Sequence, residues 1–306
     1  MTPAISVTGL TRRYTDQVAL DDVHLTIGTG TITGLLGRNG AGKTTLMRIL
    51  AGQEFPSSGS VQVLGAPPAE NKNVLRRLVL VREDQAYPDL QAYPNFMVSH
   101  ALRAASFFYP RWDADLAASL LKDFGLRAGK AIKSLSRGQR SALGITIGLA
   151  ARAEVTLFDE PYAGLDAVVR QIFYERLLAE YADFPRTVLL STHLIDEAAG
   201  LFENVVVIDR GRVVLDTAAD GLRGMATTVS GPVLAVNSFT EGRPVWERRG
   251  LGSQASVVIV GQISPEDRER ARSLGLDLTP LSLQQLVVHA SGRPADAGFL
   301  SMRTSA

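Results

Sequence analysis

Gly37-Arg38-Asn39-Gly40-Ala41-Gly42-Lys43-Thr44-Thr45 has the spacing G-x-x-x-x-G-K-[ST], a pattern suited to holding a polyphosphate. Its glycines let the backbone turn tightly enough to aim N–H groups at phosphate oxygens. A helix starting at the lysine would add the positive end of its dipole. Lys43 would then reach the β- and γ-phosphates of a nucleoside triphosphate, and the Thr44 hydroxyl would ligate Mg²⁺. A glycine-rich turn that binds nothing accounts for the glycines. It does not account for a Lys-Thr pair in a chain with only 5 lysines.

A second constellation supplies the complementary chemistry. In Val155-Thr156-Leu157-Phe158-Asp159-Glu160-Pro161 an apolar run ends in two adjacent carboxylates. Burying one ionised carboxylate is costly and two neighbours repel, so a divalent cation and a polarised water are the natural resolution. Asp159 would hold Mg²⁺ opposite Thr44, and Glu160 would orient or deprotonate the attacking water. Thr187-Val188-Leu189-Leu190-Ser191-Thr192-His193 is another apolar run with a polar end. Parallel strands of an α/β sheet place their carboxyl ends at one edge, which would bring His193 near Lys43 and Asp159.

The elements that must position these groups are legible in the same pattern. Thr31–Leu36 predicts a short strand into the glycine loop, and Leu46–Leu50 a helix out of it. Ile5–Thr8 and Val23–Ile27 predict an antiparallel β region. Tyr14 lies in that region, placed either to stack on an adenine or as an ordinary strand tyrosine. Val61–Leu64 and Leu78–Val81 predict further strands, and Asn71–Arg77 a helical segment. From Asp84 to about Ala131 helical spacing and prolines predict a helical subdomain inserted in an α/β domain. Its aromatics, including Phe107, Phe108 and Tyr109, are expected to pack its small core. Ser134 or Ser136 is placed to N-cap the helix that follows, and Asp166 to N-cap the one after the acid pair. Val205–Ile208 and Val213–Leu215 around Asp209-Arg210-Gly211-Arg212 predict a hairpin. Beyond Met225, Ser230-Gly231-Pro232 reads as a linker. Val233–Val236 and Val257–Val260 read as strands, and Pro265–Ala271 and Ser282–Val288 as helices.

Composition narrows the field. Apolar residues make up 45% and charged residues 21%, an ordinary globular balance. The formal net charge of +1 gives no bulk electrostatic case for nucleic acid. With no cysteine, disulfides, thiolate metal sites and thiol nucleophiles are excluded. Met1–Ser6 lacks the basic start and apolar core of a leader, and the apolar stretch 142–151 is too short to span a bilayer.

Tyr14, GRNGAGKTT, LSRGQ, VTLFDEP, AGLD and STH occur in an order and spacing that resembles an ABC-type ATPase cassette over about residues 3–222. The fold this implies is a P-loop NTPase core with a mixed or parallel sheet, an N-terminal antiparallel β region and an inserted helical subdomain (about 86–145). A small C-terminal α+β region (225–306) would follow an ATPase domain of residues 3–224. Under the resemblance Tyr14 matches the adenine-stacking aromatic, Asp159 the Mg²⁺-binding acid, Glu160 the catalytic glutamate and His193 the switch histidine. Gly37, Arg38, Asn39, Gly40, Ala41, Gly42, Lys43, Thr44 and Thr45 match the nucleotide loop. Ser136, Arg137, Gly138 and Gln139 match the signature that contacts a partner's γ-phosphate, and Asp166 closes the D-loop. Arg137 replaces the first of two signature glycines, and Ala163 stands where serine is usual. The Q-loop is irregular: the place expected for its glutamine falls on Arg82 or Glu83, and only a short deletion would bring Gln85 there.

The implied function is an ATP- and Mg²⁺-dependent subunit that pairs with a second cassette, identical or different. It would drive a separately encoded membrane permease from the cytoplasmic face, in the export direction. A soluble ABC ATPase acting on nucleic acid or ribosomes, and a regulatory cassette with impaired hydrolysis, are the alternatives. Lys43→Ala is expected to lose ATP binding or turnover, because the phosphate contact is removed. Unchanged turnover by the purified variant would sink the assignment.

Overall fold

A computed structural model of the chain describes residues 3–82, 95–222 and 224–291. Glu83, Gln85, Tyr87 and Tyr93 lie outside the described residues. In chain order the elements begin with β1 (Ile5–Arg13), β2 (Val18–Ile27), β3 (Ile32–Leu36), α1 (Lys43–Leu50), β4 (Ser58–Val63), α2 (Lys72–Leu75) and β5 (Leu78–Arg82). Then come α3 (Val98–Phe108), α4 (Ala114–Asp123), α5 (Arg137–Ala150), β6 (Val155–Asp159), α6 (Ala167–Asp183), β7 (Thr187–Thr192), α7 (Ile195–Ala198), β8 (Asn204–Asp209) and β9 (Arg212–Ala218). The remainder is α8 (Ala219–Leu222), β10 (Ala226–Pro232), α9 (Val233–Thr240), β11 (Val245–Leu251), β12 (Gln254–Val260), α10 (Pro265–Ser273), β13 (Asp277–Pro280) and α11 (Leu283–Ser291). Two compact units result. The first comprises residues up to Leu194 with Gly200–Asp216, and the second Ile195–Ala199 with the chain from Thr217.

In the first unit a six-stranded sheet runs β5-β6-β7-β3-β8-β9, with parallel pairing from β5 through β8. β3, β6 and β7 are buried along their whole length, the continuous apolar reading expected of strands covered on both faces. Arg210 and Gly211 both have positive φ, as a two-residue hairpin turn between β8 and β9 requires. A separate antiparallel sheet, β2-β1-β4, shares a core with α1 and the large sheet, centred on Ile5, Leu10, Leu20, Leu46, Met47 and Leu157. The helical part gathers around Val98, Leu121, Ile132 and Leu143. Its α5 runs back onto the sheet: a Cβ on Gly148 would lie 2.6 Å from Val81. Phe107 and Phe108 do not pack the helical core as expected; Phe107 is 71% exposed. They sit at the C-terminal end of α3, whose buried face is carried by Val98, Ala101 and Ala105.

The second unit contains β10-α9-β11-β12-α10-β13 with strand order β13-β10-β12-β11, antiparallel throughout, a split β-α-β sandwich. Two expectations fail here. Ser230-Gly231-Pro232 is no linker but the end of β10, paired with Ser256, Ala255 and Gln254 of β12. Val233–Val236 is no strand but the first turn of α9. Its later residues Val236, Phe239 and Thr240 are buried at helical spacing, so tertiary burial outweighs the β preference of valine.

Phe173 of α6 is fully buried and meets Phe158 edge-on at 5.3 Å between ring centroids. Phe173→Ala should cost the first unit about 3–5 kcal/mol, read from its urea transition by circular dichroism. A midpoint that does not move would contradict this packing.

Candidate functional site

Strand register decides which side chains meet. Leu36 of β3 is opposite Thr192 of β7, and Ser191 of β7 is opposite Asp159 of β6. The loop after β3, the acid pair closing β6 and His193 after β7 therefore come to one edge of the sheet, as parallel strands dictate.

Gly37 has φ 149°, and a Cβ there would lie 2.2 Å from the Ile208 carbonyl oxygen, so no other residue fits. Gly42 N-caps α1 without a side chain, leaving the first-turn N–H groups of the helix for an external acceptor. The Lys43 side chain is buried and folds back under the loop. Its ammonium donates to the carbonyls of Gly37 (2.7 Å) and Arg38 (3.2 Å), and lies 3.7 Å from Glu160 Oε1. Burial holds its pKa below the ordinary lysine value, against the opposing pull of Glu160 and Asp159.

Asp159 is buried and accepts a hydrogen bond from Ser191 Oγ at 2.6 Å. The same serine oxygen accepts the Glu160 N–H at 3.1 Å. Glu160 has φ +46°, a conformation rare outside glycine that marks a position held by its surroundings. Its carboxylate bridges two partners: Oε1 faces Lys43, and Oε2 lies 2.8 Å from Nδ1 of His193. The His193 side chain is 53% exposed. A carboxylate so held can take a proton from water.

Asp159 and the Thr44 hydroxyl are hard oxygen donors. Among the described residues no group of three or more His, Cys, Asp or Glu side chains could cage a metal. That donor set fits Mg²⁺, which keeps waters and binds through one or two protein groups and substrate phosphates.

Ser136 N-caps α5 and accepts from the Gln139 N–H (3.2 Å), while the Gln139 carboxamide accepts from the Ser136 N–H (3.2 Å) and from Lys130 (2.8 Å). A Cβ on Gly138 would lie 2.4 Å from the Gly164 carbonyl oxygen, and Ser141 Oγ donates to the Ala163 carbonyl at 2.7 Å. The start of α5 is thus seated on the 162–166 turn. Arg137, the first residue of that helix, is exposed. Asp166 serves as the N-cap of α6, accepting from the Val169 N–H at 2.9 Å. Tyr14 is exposed beyond β1, donates to Glu54 at 2.6 Å and has the Arg12 guanidinium 4.7 Å from its ring centroid.

The structure brings Lys43, Asp159, Glu160 and His193 together, as the strand-end argument expected. It adds Ser191, Thr192 and Tyr162, which the sequence reading left without a role. Tyr162 is buried and donates its hydroxyl to Thr192 Oγ1, and burial pushes its pKa well up. The available signal was the Ser-Thr pair ending an otherwise apolar strand.

Residues 20–163 match the protein family described as "ABC transporter". An aliphatic sulfonates import ATP-binding protein of Nocardia farcinica is 35% identical over 219 residues, 70% of this chain and 82% of that protein. The Nod factor export ATP-binding protein I of Ralstonia nicotianae is 34% identical over 70% of this chain, which spans 66% of that protein. The daunorubicin/doxorubicin resistance ATP-binding protein of Streptomyces peucetius is 28% identical over 96% of this chain and 94% of its own length. A solved ATP-binding subunit of an ABC transporter superposes with a TM-score of 0.64 at 26% identity, over 72% of this chain and 91% of its own.

Ser191→Ala removes the donor that holds Asp159 and the acceptor for the Glu160 amide. ATP turnover should fall about 10–100-fold, the usual effect of losing a group that orients a metal-binding carboxylate. A variant with the parent rate would show that the serine holds nothing of consequence.

Proposed function

This chain belongs to the ATP-binding cassette family of ABC transporters, and on that premise we propose that it powers export as one of a pair of cassettes on a membrane permease. The observation that carries the proposal is the position of Glu160, held between Lys43 and His193 at the edge where the phosphate loop opens. When a nucleotide's phosphates draw the Lys43 ammonium, Glu160 keeps His193 as its partner and can turn its freed oxygen to a water. It then takes the water's proton as the water oxygen bonds to the γ-phosphorus and the bond from that phosphorus to the β–γ bridging oxygen breaks, leaving ADP and inorganic phosphate. Asp159 and Thr44 would hold Mg²⁺, which when bound neutralises phosphate charge.

Two cassettes, identical or different, would complete each site. Ser136, Arg137, Gly138 and Gln139 of one copy would meet the γ-phosphate seated on the other copy's loop. The exposure of Ser136 and Arg137 and the bracing of Gly138 against Gly164 support this. Tyr14 would stack on the adenine after leaving Glu54, and Asp166 would cap α6 within the dimer interface. The residues from 3 to 224 would form the ATPase domain, and 225–306 an accessory region.

The alignment with the drug-resistance protein supports export, since it takes in 96% of the chain and so includes the second unit. The sulfonate importer matches only 70%. No described helix is long and apolar enough to cross a membrane. The permease would be a separate chain, worked from its cytoplasmic face. With a net charge of +1, nucleic acid is not the expected partner.

Glu160→Gln should bind ATP, hydrolyse it slowly and accumulate a dimer. Light scattering with ATP and Mg²⁺ should then give twice the 32.9 kDa of one chain; a monomer would count against paired cassettes. A strain lacking the chain should become hypersensitive to toxic amphiphiles. Failure to grow on a sulfonate as sulfur source, without such sensitivity, would point to import instead.

A further inference from the structure

Tyr162 lies two residues past Glu160, at the start of the 162–166 turn that seats α5. Its ring is buried, and its hydroxyl donates to Thr192 Oγ1. Thr192 Oγ1 in turn accepts the Leu194 N–H at 2.8 Å, and the phenolic oxygen faces the backbone amide of His193. The phenol thus holds Thr192 at the end of β7 and faces the His193 amide, and Thr192 in turn holds Leu194. The Tyr162 ring also meets the His193 imidazole edge-on, with centroids 5.9 Å apart and planes at 64°. That imidazole is half exposed, and its Nδ1 reaches Glu160. Beside the Glu160 contact, the imidazole is thus steadied at its ring and at its backbone, and Tyr162 touches both.

We infer that Tyr162 is a positioning residue for hydrolysis, whose hydroxyl, through Thr192 and the 192–194 turn, keeps His193 facing Glu160. The inference rests on the reading of Glu160 and His193 as the hydrolytic pair, and adds to it the group that sets the pair's geometry. It also makes the 162–166 turn a physical link. One end of the turn braces Gly138 through Gly164, and the other holds the chain's own histidine.

The test uses the intact chain with ATP and Mg²⁺, measuring kcat and KM separately. Tyr162→Phe keeps the ring and removes the hydroxyl. It should lower kcat about tenfold, the lower range for loss of an orienting partner, with KM for ATP within about twofold. In a His193→Ala background Tyr162→Phe should have no further effect, because the group it positions is gone. Thr192→Val should reproduce the loss without touching the tyrosine, and Thr192→Ser, which keeps the acceptor, should recover most of it. The same fall in kcat with and without His193 would overturn the inference, since a merely structural role acts in both. So would a Tyr162→Phe enzyme with the parent kcat, or one changed only in KM. Glu160→Gln and His193→Ala variants that turn over at the parent rate would instead defeat the reading of the hydrolytic pair, whatever Tyr162 does.

Discussion

Two carboxylates in sequence at the inner end of a fully buried strand are the constraint on which the rest of this molecule depends. Left alone, Asp159 and Glu160 would repel one another and lose their hydration. The fold separates them instead. Successive side chains at a strand end already point apart, and Glu160 leaves β6 in a left-handed backbone conformation. Asp159 stays buried against Ser191, and Glu160 swings out to Lys43 and His193. The serine hydroxyl donates to one residue's carboxylate and accepts the other's amide, so a single oxygen fixes the divergence.

Much of the architecture follows from supplying those partners at one edge. β3 must lie beside β7 for the lysine to arrive from the glycine-rich loop, and β7 beside β6 for Ser191 and His193 to arrive in register. The loop can return the Lys43 ammonium toward Glu160 only because Gly37 lets its backbone pack against Ile208. On the far side of the acid pair, the 162–166 turn carries the same geometry to the start of α5 by close glycine contact. The site is therefore a chain of short-range contacts that runs from the loop after β3 to the start of α5.

The parts of this that were legible in the sequence are those with local signatures. A glycine-lysine-threonine spacing, an apolar run ending in Asp-Glu and an apolar run ending in Ser-Thr-His each announce a strand end and its chemistry. Rules for parallel sheets then place them together. What sequence could not provide depends on tertiary packing. Gly164 looks like any turn glycine until Gly138 is found against it, and Tyr162 looks like core until its hydroxyl is found on Thr192. Val233–Val236 reads as a strand because valine favours strands, yet burial of Phe239 and Thr240 on one face makes it a helix. Phe107 and Phe108 read as core from their size, but α3 buries its smaller residues instead.

In the proposed function the Glu160 carboxylate performs a step in hydrolysis and does not merely balance the charge of Lys43. Phosphate release from prebound ATP in a single turnover, compared between the parent chain and Glu160→Gln, tests this most directly. A fall of about 100-fold or more, within the range for losing a positioned base, with ATP still bound, is the predicted result. Release within a few-fold of the parent rate would contradict it.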